Sequence, residues 1–243
     1  MRWSSLILPA APRRSAGRAA CAALALLAVL WQRESAAAAE PVDVQLVLAI
    51  DTSGSVNQRR FELQQQGYVA AFRDPHVLQA IEAGIARSIA VTMFQWTGPQ
   101  LHVVVVPWMR IDDQASAEAA ATAIAAVPRM LFRGGTSISG AIDYAMTLFP
   151  QSPYAGSRRI IDISGDGANN SGRPVQKARD DAVAAGVTIN GLPILTIEPD
   201  LDQHYQNAVV GGEGAFVVAV KSDTDFADAI VKKLIAEIAM NAR

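Results

Sequence analysis

The sequence predicts an α/β fold: a doubly wound, mostly parallel six-stranded sheet with one antiparallel edge strand and helices on both faces. Three observations carry this. Short apolar runs alternate with stretches of helical periodicity, as in sheets built from strand–helix–strand units. The first run, Val42–Ile50, is almost wholly apolar at its end, which suits a strand buried on both faces. The Thr97-Gly98-Pro99 turn between the second and third runs is too short for a crossover and dictates an antiparallel pair.

Val42–Ile50 is the first strand. Ser55-Val56-Asn57-Gln58 reads as a capping box, S-x-x-Q, that opens a helix running to about Phe72, with Phe61, Tyr68, Val69 and Phe72 on one face. Pro75 ends that helix, and a short one covers Val77–Ala83. Ile89–Trp96 and Leu101–Trp108 are the second and third strands, with Pro107 placing the third at a sheet edge. Asp112–Val127 and Ser137–Phe149 are helices. Arg159–Ser164 is a strand that ends in a Gly-Asp-Gly turn, and Arg173–Ala185 is a helix stopped by Gly186. Val187–Leu192 is a strand, Asp200–Ala208 a short helix and Ala215–Val220 the sixth strand. Ser222–Asp225 caps a last helix whose Phe226, Ile230, Leu234 and Ile238 face the core.

Residues 1–39 read as a secretory signal peptide rather than as fold. Arg2, Arg13, Arg14 and Arg18 form a basic region, Ala19–Leu30 a short apolar core, and Ala37–Ala39 a small-residue cleavage site before Glu40. The apolar run is shorter than the ~20 residues of a membrane span. Left uncleaved, it would tether the protein to a membrane. Residues 40–243 are then one domain in the periplasm or outside the cell. Cleavage removes Cys21, the only cysteine of the 243 residues, so thiol chemistry is excluded from the mature chain. It also leaves 16 basic and 22 acidic residues, a net charge of −6. An acidic domain with no basic run is a poor nucleic-acid binder.

The chemistry concentrates in Leu48–Gln58, LAIDTSGSVNQ. Asp51, Ser53 and Ser55 put a carboxylate and two hydroxyls at alternate positions after a buried strand. An aspartic protease would need two such aspartates sharing a proton, and no second motif is present. An EF-hand loop would need glycine where Val56 stands. Each piece alone has a structural explanation: Ser55 can cap a helix, Asp51 can end a strand, and Asp166-Gly167 can be a turn. Taken together they say more. Thr136, in Arg133-Gly-Gly-Thr-Ser, precedes a helix, and Asp166 follows a strand. In a doubly wound sheet, loops at the carboxyl ends of strands meet at one edge. Two carboxylates and three hydroxyls are hard oxygen donors that suit Mg²⁺, with Mn²⁺ or Ca²⁺ as alternatives, and none is the His or Cys that zinc prefers.

The set Asp51-x-Ser53-x-Ser55, Thr136 and Asp166 resembles the metal-ion-dependent adhesion site of von Willebrand factor A-type domains, a Rossmann-like fold. The resemblance covers nearly all of residues 42–240. Within that family the chain looks most like an uncharacterised group of secreted bacterial proteins with an I-D-x-S-G-D-G-x-N-N segment, here Ile161–Asn170. The resemblance implies direct ligation by Ser53 and Ser55. It implies direct or water-mediated ligation by Asp51 and Asp166, and a conformation-dependent role for Thr136. It also implies an open coordination position that accepts a carboxylate from a partner protein, and the lack of a general base near the motifs argues against enzymatic activity. Trp96, Arg133, Asn169 and Asn170 are candidates for the rim that sets specificity, with core packing the competing role for Trp96. The alternative is a hydrolase using the cation to activate water. None of the three histidines, His76, His102 and His204, lies near the motifs in sequence. Asp162, inside its strand, departs from the family pattern. It could support the site, pair with Arg158 or Arg159, or face a partner.

Overall fold

A computed structural model describes residues 39–239. The predicted signal peptide lies outside the described residues. Five strands form one sheet: β1 (Glu40–Asp51), β2 (Ile89–Trp96), β3 (His102–Ile111), β4 (Tyr154–Gly165) and β5 (Val187–Pro193). Their order is β3-β2-β1-β4-β5. β1 pairs in parallel with β2 and β4, β4 with β5, and only the edge strand β3 runs antiparallel. Among the described residues seven α-helices connect or flank them: α1 (Gln58–Arg73), α2 (Pro75–Glu82), α3 (Gln114–Ala125), α4 (Ile138–Leu148), α5 (Val175–Ala184), α6 (Leu201–His204) and α7 (Phe226–Ala239).

Alternation along β1 divides the core. Val44, Leu46, Leu48 and Ile50 pack with Tyr68 and Phe72 of α1, Ile81 of α2, Ile124 of α3 and Leu234 of α7. Val47 and Ala49 point the other way, against Ile142 of α4, Ala178 of α5 and Tyr205. Because successive strand residues face opposite sides, a strand flanked by helices on both must be apolar throughout. Chain order reverses at β1, so the carboxyl ends of β1 and β4 form the crevice where α/β sheets bind ligands.

The sixth predicted strand is corrected. Residues 215–220 run beside β5 but join it only through bridges at Gly191–Val217 and Ile194–Val220. Gly191 N donates to Phe216 O at 3.1 Å, and the next donor in a regular parallel ladder would be residue 193. That residue is Pro193, which has no N–H, so the ladder breaks there. Pairing resumes when Val220 N donates to Pro193 O and Leu195 N to Val220 O, both at 2.9 Å.

The first helix is corrected at its cap. Asn57, not Ser55, caps α1, its side chain accepting from Arg60 N at 3.0 Å. Before α7 the chain makes one 3-10 turn, Asp223–Asp225, with no capping bond from the Ser222 side chain. Gly186 (φ 74°) stops α5 as expected.

Asp162 is neither at the site edge nor paired with the neighbouring arginines. It is fully buried, with Lys233 Nζ of α7 2.6 Å from Oδ1 and the Tyr68 hydroxyl donating to Oδ2 at 3.1 Å. Lys233 also bonds Glu237, which accepts from Asn190 Nδ2 at 3.0 Å. Two carboxylates thus share one buried ammonium. Burial pushes the Glu237 carboxyl up to about 7, with the Asp162 charge adding and Lys233 opposing.

Candidate metal centre

The five predicted ligands meet at the carboxyl edge of β1 and β4. Asp51 closes β1, and its Oδ1 accepts from Ser53 N at 2.7 Å, folding the chain into a tight turn. That turn sets Ser53 Oγ 3.2 Å from Ser55 Oγ, and Ser55 Oγ donates to Asp166 Oδ1 at 2.5 Å. Thr136 Oγ1 lies 3.5 Å from Ser53 Oγ. Asp51, Ser53, Thr136 and Asp166 are buried, while Ser55 is exposed and opens the cluster to solvent.

Neighbouring segments hold this geometry. Thr52 N and Oγ1 both donate to Trp96 O, at 2.9 and 3.1 Å. Asn170 Oδ1 accepts from Thr136 N at 2.9 Å, and Asn170 N donates to Thr136 O at the same distance. Asn169 Oδ1 accepts from Ser139 N at 3.0 Å. Both asparagines therefore orient the Thr136 loop, and Asn170 is also exposed at its surface. Arg133 is exposed beside them. Trp96 is corrected: it is fully buried in the core and offers no side chain to a partner.

Sequence reasoning missed Arg60, Arg129, Glu198 and Tyr205. Arg60 Nη1 donates to Asp166 Oδ2 at 3.3 Å, and Arg129 Nη2 donates to the carbonyls of Thr52 and Ser53 at 3.1 and 3.2 Å. Glu198 accepts from Ala168 N at 3.1 Å. No local motif marks these four; only the turn signal around Asp166 hints that nearby loops converge. On α1, Arg60, Gln64 and Tyr68 follow at intervals of four. They meet Asp166, Ser164 and Asp162, spaced by two along β4 and beyond its end, at 3.3, 2.9 and 3.1 Å.

The residues fit a divalent cation. Asp51 Oδ2 is buried with no hydrogen-bond partner. A buried carboxylate oxygen without a donor is costly unless a charge faces it. Burial raises the Asp51 carboxyl to about 7, and the nearby Asp166 adds to the rise. Among the described residues no three His, Cys, Asp or Glu side chains gather as metal ligands, and the oxygens clustered here are those of two carboxylates and three hydroxyls. Close approach is built in at Gly165, where a Cβ would lie 3.0 Å from Asp51 Oδ2 and 2.8 Å from the Tyr205 hydroxyl. A cavity of about 460 Å³ lies by Arg158 and Arg159 at the amino ends of β4 and β5. Its arginines are engaged: Arg158 donates to the carbonyls of Glu237 and Ile238, and Arg159 to that of Ala185.

Known structures share the architecture. Proximal thread matrix protein 1 from the mussel byssus, in a form with a zinc-occupied MIDAS motif, is 15% identical with a TM-score of 0.59, over 82% of this chain and 49% of that one. The von Willebrand factor type A protein from Catenulispora acidiphila is 15% identical with a TM-score of 0.51, over 82% and 43%. The SpRpn10 VWA domain is 16% identical with a TM-score of 0.56, over 80% and 96%. The chain thus spans less than half the length of the first two. At these identities the likeness is one of fold, and the fold is of the von Willebrand factor A type. No curated protein matches the chain. The family model described as "Protein of unknown function (DUF1194)" matches residues 41–242, and the chain belongs to that family.

Proposed function

We propose that the protein is a secreted or periplasmic module that binds a partner protein through a divalent cation. Asp51, Ser53, Ser55, Thr136 and Asp166 are the proposed ligands, and Mg²⁺ is the proposed cation because every donor is a hard oxygen. The observation that carries this reading is the buried, unpartnered Asp51 Oδ2 within a cluster of oxygen donors from three loops. A zinc-occupied MIDAS motif in a protein of the same fold supports it. The partner would offer an acidic residue, with Arg133 and Asn170 at the rim. Secretion rests on the leader-like residues 1–39, and no helix among the described residues is long and apolar enough to cross a membrane.

Calorimetric titration with Mg²⁺, Mn²⁺, Ca²⁺ and Zn²⁺ tests the cation. Absence of binding by all four would remove the reading. Affinity capture from a periplasmic extract, in Mg²⁺ or in chelator, tests the partner. Metal-dependent hydrolysis of generic esters or phosphates, abolished by Asp51→Ala, would replace the module with an enzyme.

A further inference from the structure

The described residues leave six large apolar side chains exposed: Ile85, Leu101, Val104, Met130, Phe132 and Ile197. Val104 and Met130 share a groove of about 310 Å³ between β3 and the loop after α3. Phe132, 59% exposed, is two residues further along that loop, and the Arg129 guanidinium lies 5.1 Å over its ring. The same Arg129 grips the carbonyls of Thr52 and Ser53, so the apolar ledge adjoins the cation-site loop.

The exposure is fixed by hydrogen bonds. Gln95 clamps the loop with both ends of its amide, donating to Pro128 O at 2.8 Å and accepting from Met130 N at 2.7 Å. Thr97 Oγ1 donates to Arg133 O at 3.0 Å, and Gly54 N donates to Gly134 O at 3.3 Å. A loop tied at this many points yet turning methionine and phenylalanine outward presents a binding surface rather than a failed core. Its charge is opposite to that of the chain: Arg129 and Arg133 flank Met130–Phe132, and Arg133 has no side-chain partner among the described residues.

Building on the cation-dependent reading above, we infer that the Pro128–Arg133 ledge and the β3 groove hold the large apolar neighbour of the partner's acidic residue. The partner is therefore an exposed protein segment in which Asp or Glu lies within a few residues of a bulky apolar side chain. The arginines attract its charge, and Phe132 and Met130 bury its apolar neighbour.

Selection of a random dodecapeptide phage library on the immobilised protein in Mg²⁺ tests this. Enriched peptides should pair an acidic with a bulky apolar residue. Synthetic winners should bind about tenfold more weakly to Phe132→Ser and to Met130→Ser, while Mg²⁺ affinity of both variants stays unchanged. Enrichment of acidic peptides with no apolar preference, no enrichment of the paired motif, or winners indifferent to both substitutions would overturn the ledge. Winners that bind equally in chelator and to Ser55→Ala would instead overturn the cation reading. Co-sedimentation with phosphatidylglycerol vesicles that is lost in Phe132→Ser, without peptide enrichment, would mark the ledge as a membrane contact and overturn the protein-partner inference.

Discussion

Ser55 Oγ donates to Asp166 Oδ1 at 2.5 Å across a sequence separation of 111 residues. The contact joins the loop after β1 to the loop after β4. Ser55 is exposed, and the cap of α1 belongs to Asn57, so its hydroxyl is spare for the site. Ser55→Ala should therefore leave the unfolding free energy within about 1 kcal/mol of the parent while weakening Mg²⁺ binding about tenfold or more. Calorimetry and urea unfolding check both halves.

Cation binding should stabilise the fold by mass action. At a concentration 100 times the dissociation constant the gain is about 2.7 kcal/mol. For a chain of this size that raises the melting temperature by roughly 5–10 °C. Differential scanning in Mg²⁺ and in EDTA should show the rise in the parent and none in Asp51→Asn, which keeps the shape of the ligand but removes its charge.

Lys233 contacts both Asp162 and Glu237, and all three are fully buried. Lys233→Met fits the volume but leaves Asp162 uncompensated. The expected loss is about 3–5 kcal/mol in urea unfolding. The variant Lys233→Met with Asp162→Asn should recover part of it.

Glu237 makes stability fall as pH rises. Its folded-state carboxyl titrates at about 7 against 4.5 for an unperturbed glutamate, chiefly because of burial. Between those values the folded state keeps a proton that the unfolded chain has released. The contribution is full below about pH 4.5 and lost as pH approaches 7, with a span of ~3 kcal/mol. Glu237→Gln should flatten the slope of unfolding free energy over that window; an unchanged slope would assign it to other groups.

Much of the fold was legible because period and punctuation acted locally. The apolar run of β1, the Thr97-Gly98-Pro99 turn and Gly186 each impose a structure on their own neighbours. Asp51, Ser53 and Ser55 were legible as a local pattern, whereas Thr136 and Asp166 joined them through the resemblance to a known site. Long-range pairings were not. Lys233 sits in a helix where a lysine ordinarily faces solvent, and its partner Asp162 is 71 residues earlier on β4. Ser55 satisfied the capping-box pattern, yet Asn57 satisfied the same backbone need two residues later. Trp96 ended a strand as a rim residue would, but the Ser137 loop folds over its edge, with Ser137 N bonding Thr97 O at 3.0 Å. The break at residues 215–220 depended on which β5 residue they would meet, and that residue is a proline.

The contacts of Arg60, Gln64 and Tyr68 with Asp166, Ser164 and Asp162 carry a mechanical consequence. Four residues of helix advance about 6 Å and two of strand about 6.6 Å, so the spacings mesh like the teeth of a rack and pinion. A slip of one tooth would disengage every contact together. The carboxylate at the outer end is thereby indexed to the sheet, and its placement is inherited from the interior rather than left to the loop that bears it.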